Sequence, residues 1–284
     1  VSQERRSNEV FQGNALKQSA IPSKNVMEED FGWEVPIETV PLPSEGKVYP
    51  SNSPLSNMSS IDIKAMTAKE EDILTSRALI KKGTVITHLL QSCVVGGGVN
   101  VKEMLVGDRN ALMVAVRITG YGSAYSADVS CPACSAQLKE SFDLGELSIK
   151  RLNIDPVTPG ENRFSFLLPI TKKEVHFKFL TGVDEEELNL IAERKKKMLP
   201  DMATESLVTS RLARSIVSVG GIEDQNKINQ FVERMPAQDS RKLRAYIDQN
   251  EPGINMDVWL HCSQCGESSE VGLPMGAEFF WPRD

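Results

Sequence analysis

Two Cys-x-x-Cys pairs carry the spacing in this chain that most clearly specifies chemistry: Cys131-Pro132-Ala133-Cys134 and Cys262-Ser263-Gln264-Cys265. Each lies in a short polar turn between runs that read as strands. Two such pairs supply four thiolates, the number that a closed tetrahedral zinc site takes. Because 127 residues separate the pairs, a shared ion would join distant parts of the chain. The alternative is a redox disulfide within each pair, but that reading wants one motif beside a βαβ unit, and no such unit is legible. Cys131, Cys134, Cys262 and Cys265 are therefore expected to hold a structural Zn2+. Cys93, the odd cysteine, reads as a small buried apolar residue.

Other chemistry is sparse. His88, His176 and His261 have no motif partner and read as surface or satisfied histidines, with His261 placed to hydrogen-bond near the metal. No Gly-x-Ser-x-Gly elbow or His-Glu-x-x-His pair occurs. Gly96-Gly97-Gly98 lacks the following Gly-Lys-Ser/Thr of a phosphate loop and reads as a flexible link. The acid pairs Glu70–Glu71 and Glu223–Asp224 fall at helix starts, where carboxylates complement the helix dipole. A four-thiolate ion leaves no open position for water. The expectation is a protein that is not an enzyme and takes no small-molecule substrate.

The 284 residues suffice for one large domain or two smaller ones with tails, and the formal charge of −7 supplies no overall attraction to phosphates. The knuckle strands carry Asp128, Glu140, Asp143, Asp257, Glu267 and Glu270 against Lys139. That balance opposes nucleic acid, so a zinc-ribbon nucleic-acid-binding protein stands as the second reading and a metalloenzyme as the third. No apolar run approaches the roughly 20 residues of a membrane helix. The polar N-terminus also lacks the apolar core of a signal peptide.

The elements that must position the cysteines follow from periodicity and punctuation. Residues 1–40 read as an extended arm with anchors Val10, Phe11, Ile21, Phe31 and Trp33. Either it docks on a partner or it folds back on its own domain. Pro41, Pro43, Gly46, Pro50 and Pro54 enforce a turn-rich path, and Ile61, Ile63 and Ala65 alternate as a strand. Thr67-Ala68-Lys69-Glu70 has capping-box form, opening a helix with Ile73, Leu74 and Ile80 inward and Gly83 at its end. A second helix is expected over 84–93, burying Val85, Leu89 and Cys93. A third, from Asp108 to Ile118, is apolar nearly all round and therefore central. Arg109 and Arg117 on it await acids elsewhere.

Strands at 126–130 and 135–142 flank the first knuckle, and strands at 255–261 and 267–273 flank the second, so the halves form a split zinc ribbon. Between them, 164–168 and 175–179 predict a hairpin with Phe164, Phe166, Val175, Phe177 and Phe179 on one face. Helices are expected from Asp184 as N-cap to the basic run Arg194–Lys197, then over 205–219, 224–235 and 238–250. The fold class is α+β. It comprises the arm (1–40), N-terminal helices with the first half-ribbon (41–145), an inserted β-hairpin and helical bundle (146–254), and the second half-ribbon with an apolar tail (255–284). That tail, containing Phe279, Phe280 and Trp281, must pack on its own domain or plug a neighbour.

Several runs resemble a family of baseplate hub proteins from contractile-tailed bacteriophages of the T-even type: Pro41-Leu42-Pro43-Ser44 to Tyr49-Pro50, Ile63-Lys64-Ala65-Met66-Thr67 with Glu70-Glu71, and Gly107-Asp108-Arg109-Asn110. Arg117-Ile118-Thr119-Gly120-Tyr121-Gly122, leading into the first knuckle, completes the set. The likeness is good over 40–145 and looser beyond. It implies a structural or assembly role in the tail baseplate, in the virion and in the host cytoplasm during assembly. It also implies other baseplate and tail proteins as partners, including copies of this chain in a ring, with no nucleic acid or membrane. Baseplate assembly factor is the alternative within the same family.

Overall fold

Strand β1 (Ile37–Pro41) pairs antiparallel with β2 (Ser60–Lys64), bringing the ends of the proline-rich stretch together. Ile61 and Ile63 point inward and Asp62 outward, as alternation requires. The computed structural model describes residues 34–198, 207–275 and 277–280. The predicted anchors Val10, Phe11, Ile21, Phe31 and Trp33, the terminal Trp281 and the side chains of Lys195–Lys197 lie outside the described residues.

Three short helices follow: α1 (Ala68–Thr75), α2 (Arg77–Lys82) and α3 (Val85–Cys93). The single helix expected up to Gly83 is broken at Ser76, whose extended backbone turns α2 away from the stripe of α1. Ile80, expected inside, is consequently exposed. Glu70 closes the predicted box by accepting from the Thr67 N–H at 3.0 Å. Leu89, Leu90 and Cys93 of α3 are fully buried.

Helix α4 (Val106–Tyr121) is the axis of the molecule. From Val106 to Arg117 every residue except Asn110 is buried, which is why its sequence carries no polar face. It packs on α3, β1 and β2 from the N-terminal half and on elements from the far end of the chain. Gly122, at φ 81°, ends it.

The hairpin of β3 (Ala124–Ser130) and β4 (Gln137–Asp143) carries the first knuckle at its turn. Strand β5 (Ile149–Lys150) comes next, before the hairpin of β6 (Phe164–Leu167) and β7 (Glu174–Phe177). Phe164, Val175, Phe177 and Phe179 are buried on one face, with Phe166 half-buried beside them. Helices α5 (Gly182–Met198) and α6 (Leu207–Ser215) lead into β8 (Ile216–Val219).

Three expectations change here. The helix predicted over 205–219 ends at Ser215. Residues 216–219 instead form a third strand, pairing Ile216 with Phe177, Ser218 with His176 and Val219 with Val175. Ile216, Val217 and Val219 are β-branched, and the hairpin edge offers them ladder hydrogen bonds that an isolated sequence does not reveal. Val208, expected inside, is exposed. Asp184 is not the N-cap of α5. The box begins at Thr181, whose N–H donates to the Asp184 carboxylate at 3.0 Å, and the buried Asp184 also receives Lys178 and Arg214.

Helices α7 (Gln225–Arg234) and α8 (Ala237–Asn250) complete the helical part. Tyr246 of α8 stands 4.8 Å from Phe166 and 5.9 Å from Phe177, ring centre to ring centre, and Asp239 accepts from the N–H groups of Ile170 and Thr171 in the hairpin turn. Strand β9 (Gly253–Ile254) pairs back on β5 before the last hairpin, β10 (Asp257–His261) with β11 (Ser268–Gly272). The architecture is α+β, with helices around small antiparallel sheets. No helix among the described residues is long and apolar enough to cross a membrane.

Candidate metal centre

Each cysteine pair is placed by the hairpin that carries it, and the two turns share one hydrogen-bond pattern. In the first, the Cys131 N–H donates to the Ala136 carbonyl at 2.9 Å and the Ser135 N–H to the Cys131 carbonyl at 2.8 Å. In the second, the Cys262 N–H donates to the Glu267 carbonyl at 2.9 Å and the Gly266 N–H to the Cys262 carbonyl at 2.8 Å. The residue after the second cysteine must adopt positive φ. Gly266 does so at 73°, and Ser135 does so at 60° without the freedom of glycine. Glycine meets this demand by its residue type, whereas nothing local in the sequence marks Ser135 for the left-handed region.

The two turns face each other across the gap in sequence. Cys131 Sγ lies 3.8 Å from Cys265 Sγ and Cys134 Sγ lies 3.7 Å from Cys262 Sγ. All four sulfurs fall within 4.8 Å of one another, so the group can hold a metal ion. None of the five cysteines is in a disulfide. Cys131 and Cys262 are buried, and Cys134 and Cys265 face outward.

The thiols are unequal. The backbone N–H of Cys265, helped by that of Gln264, draws Cys262 down to about 7. Cys265 receives the Glu267 N–H, which favours its thiolate, yet the neighbouring sulfurs, Cys262 foremost, push it up to about 12. Like charges this close resist joint ionisation, whereas a bound divalent cation reverses that balance and favours thiolates. The donor set thus fits a soft divalent ion.

The remaining candidates part company. Cys93 is fully buried, and burial pushes its thiol up to about 12, consistent with an inert packing role. His88 is exposed. His261 pairs with Ser268 across its hairpin at 3.0 Å rather than supporting a cysteine. His176 acquires partners that the sequence did not show: Ser218 at 2.8 Å from Nδ1, and Glu174 at 3.9 Å from Nε2. These are the residue types of a nucleophile, base and carboxylate, but Ser218 has no exposed surface.

The runs that carried the family likeness meet around α4. Asp108 is fully buried and accepts from the Ser44 N–H at 2.9 Å, the Ser44 hydroxyl at 2.6 Å and the Tyr49 hydroxyl at 2.6 Å. Tyr49 in turn accepts from the Leu105 N–H at 2.9 Å. Burial raises the Asp108 carboxyl despite the Ser44 and Tyr49 bonds, and burial followed by Asp108 itself raises Tyr49 well above the usual phenol range. This latch fastens the proline-rich segment onto α4. Gly107 fits against the returning backbone so closely that a Cβ there would stand 1.7 Å from the Pro252 carbonyl oxygen.

The two arginines of α4 differ: Arg109 meets an acid, as expected, whereas Arg117 takes backbone carbonyls instead. Arg117 donates to the carbonyls of Phe279, Gly122 and Ala124. Arg109 donates to Thr87 and lies 3.5 Å from Glu185. Phe279 and Phe280 are themselves fully buried, and Phe279 meets Tyr125 edge-on at 5.1 Å. The apolar tail therefore packs on its own core at these two residues and does not offer them to a neighbour. The pull is hydrophobic burial reinforced by the Arg117 bond.

These features define an α+β protein whose first and last hairpins meet at a four-cysteine cluster. Over residues 36–281 the chain matches the family model described as T4 bacteriophage base plate protein, and it belongs to that family. Membership supports a structural role in the baseplate of a T4-like phage, among other baseplate proteins in the virion tail. No curated protein and no solved structure matches the chain.

Proposed function

We propose that this chain is a non-enzymatic structural part of a contractile-tail baseplate, at the hub or its junction with the wedges or tail tube. A structural Zn2+ bound by Cys131, Cys134, Cys262 and Cys265 closes a split zinc ribbon formed by β3–β4 and β10–β11. The observation that supports the metal is the sulfur spacing. Four ligands about 2.3 Å from one centre in a tetrahedron stand about 3.8 Å apart, and the cross-turn pairs stand 3.8 and 3.7 Å apart. A closed four-sulfur site supplies folding free energy rather than catalysis; zinc-finger peptides gain roughly 10–16 kcal/mol from it. Residues 41–145 and 255–284 are then the clamped frame, and 146–254 the insertion carried on it. The N-terminal arm docks neighbouring subunits, and copies of the chain assemble in a ring.

The test has two arms. Elemental analysis and X-ray absorption of the purified chain are expected to give one zinc with four sulfur neighbours; a metal with an oxygen ligand overturns the structural site. Quantitative mass spectrometry of purified tails is expected to find the chain in the finished virion. Its presence in assembly intermediates but not in tails would make it the assembly factor instead.

A further inference from the structure

The two hairpins that carry the cysteines share one register, and a cross-strand pair at the same place in each has different chemistry. Three residues before the first cysteine of each knuckle stand Asp128 and Trp259, and five residues after the second cysteine stand Lys139 and Glu270. Asp128 is opposite Lys139, and Trp259 is opposite Glu270. The first hairpin therefore sets opposite charges against each other, the favourable cross-strand combination. The second sets an indole against a carboxylate.

Trp259 is 66% exposed, more than any other large apolar side chain among the described residues. Its diagonal neighbours on β11 are Gly272 and Ser268, so little side chain lies there to cover the ring. Glu270 and Asp257 are exposed and form no ion pair among the described residues. Residues 255–273 hold Asp257, Glu267 and Glu270 and neither lysine nor arginine.

We propose that this face, centred on Trp259 and Glu270, is a docking surface for a basic patch on a different protein subunit of the baseplate. An arginine of that patch stacks on the indole and forks onto the Glu270 carboxylate, with Asp257 taking a second cation. Arginine suits both contacts, because its planar guanidinium stacks on aromatic rings and matches a carboxylate with two parallel hydrogen bonds. Tryptophan at the centre of a polar surface is the residue type in which binding energy concentrates. A second copy of the same face is disfavoured by its own negative charge, and nucleic acid by the same repulsion. The partner's chemistry deepens the baseplate reading and rests on it.

The test uses the full chain in assembled tails and baseplate intermediates, with W259A, E270K and E270Q. Because these side chains are exposed, the isolated variants are expected to melt with the parent. Incorporation, measured by quantitative mass spectrometry against another tail protein, is expected to fall about tenfold or more for W259A and E270K, with E270Q between them and the parent. Zero-length carbodiimide crosslinking is expected to join Asp257 or Glu270 to a lysine of a different protein, and reversing charge in that basic patch is expected to rescue E270K. Normal incorporation of W259A and E270K overturns the proposal, as do crosslinks only to copies of this chain, or loss of nucleic-acid binding as the variants' defect. Absence of the parent chain from tails and intermediates alike would sink the baseplate reading itself. A parent that incorporates alongside equally competent variants sinks only the docking face.

Discussion

The Nε–H of Arg117 donates to the carbonyl oxygen of Phe279 at 3.0 Å, joining the end of the central helix to a turn 162 residues later. The same guanidinium serves the carbonyls of Gly122 and Ala124 and lies 5.4 Å from the centre of the Tyr121 ring. It organises the helix end, the entry to the first knuckle strand and the C-terminal turn together.

Replacing Arg117 with leucine leaves three carbonyls without their donor, that of the fully buried Phe279 among them. The expected loss is about 2–4 kcal/mol, read by urea unfolding. Arg117→Lys is expected to recover only part of it, since one ammonium cannot span the same spread of acceptors. Faster proteolysis near Phe279 in both variants is the accompanying sign.

Removing the metal tests the clamp. Cys262→Ser, or a strong chelator on the parent chain, is expected to release the ion and lower the melting temperature by several degrees or more, because the site ties together residues far apart in sequence. Unchanged metal content and melting in Cys262→Ser would count against the site.

Ser135 carries the positive φ that Gly266 adopts freely in the sister turn. A non-glycine residue there costs about 1–2 kcal/mol, partly offset by glycine's greater chain entropy when unfolded. Ser135→Gly is therefore expected to stabilise by about 0.5–1 kcal/mol, and Gly266→Ala to destabilise by about 1 kcal/mol. Thermal melts of the metal-loaded protein read both.

Gly107→Ala should raise the intrinsic helix propensity of α4 by about 1 kcal/mol. The new methyl would stand 1.7 Å from the Pro252 carbonyl oxygen, so backbone must move. Overpacking of this kind costs about 1–3 kcal/mol or more, and the net expectation is destabilisation in chemical unfolding.

Acid dependence separates two buried carboxylates. Burial opposes ionisation of Glu70, but hydrogen bonds from Ser92, Thr67 and Lys64 prevail and hold it at about 2. Its folded value is below its unfolded one, so it stabilises above the ordinary carboxylate range, and that contribution is lost as pH falls towards 2. Asp108 is raised, so its contribution is complete below its unfolded value and declines as pH rises through the folded one. Glu70→Gln is expected to flatten the acid limb of a stability–pH profile, whereas Asp108→Asn should leave that limb in place.

What the sequence determined by itself was the local chemistry. The Cys-x-x-Cys turns, the alternating hairpins, the Thr67–Glu70 box and the largely apolar central helix depend on neighbours within a few residues, and each is where its pattern put it. What tertiary structure decided needed a partner far along the chain. Residues 216–219 became a strand because β7 offered an edge. Arg117 took carbonyls because the chain end returned to it, and Asp108 became a buried latch because Ser44 and Tyr49 were folded over α4. Exposure of Trp259 was likewise undecided by its alternating strand, since only the missing cover on that face leaves the indole in solvent. Local turn and helix chemistry is set by sterics and short-range hydrogen bonds, whereas burial and long-range pairing are properties of surfaces that exist only once the chain has folded.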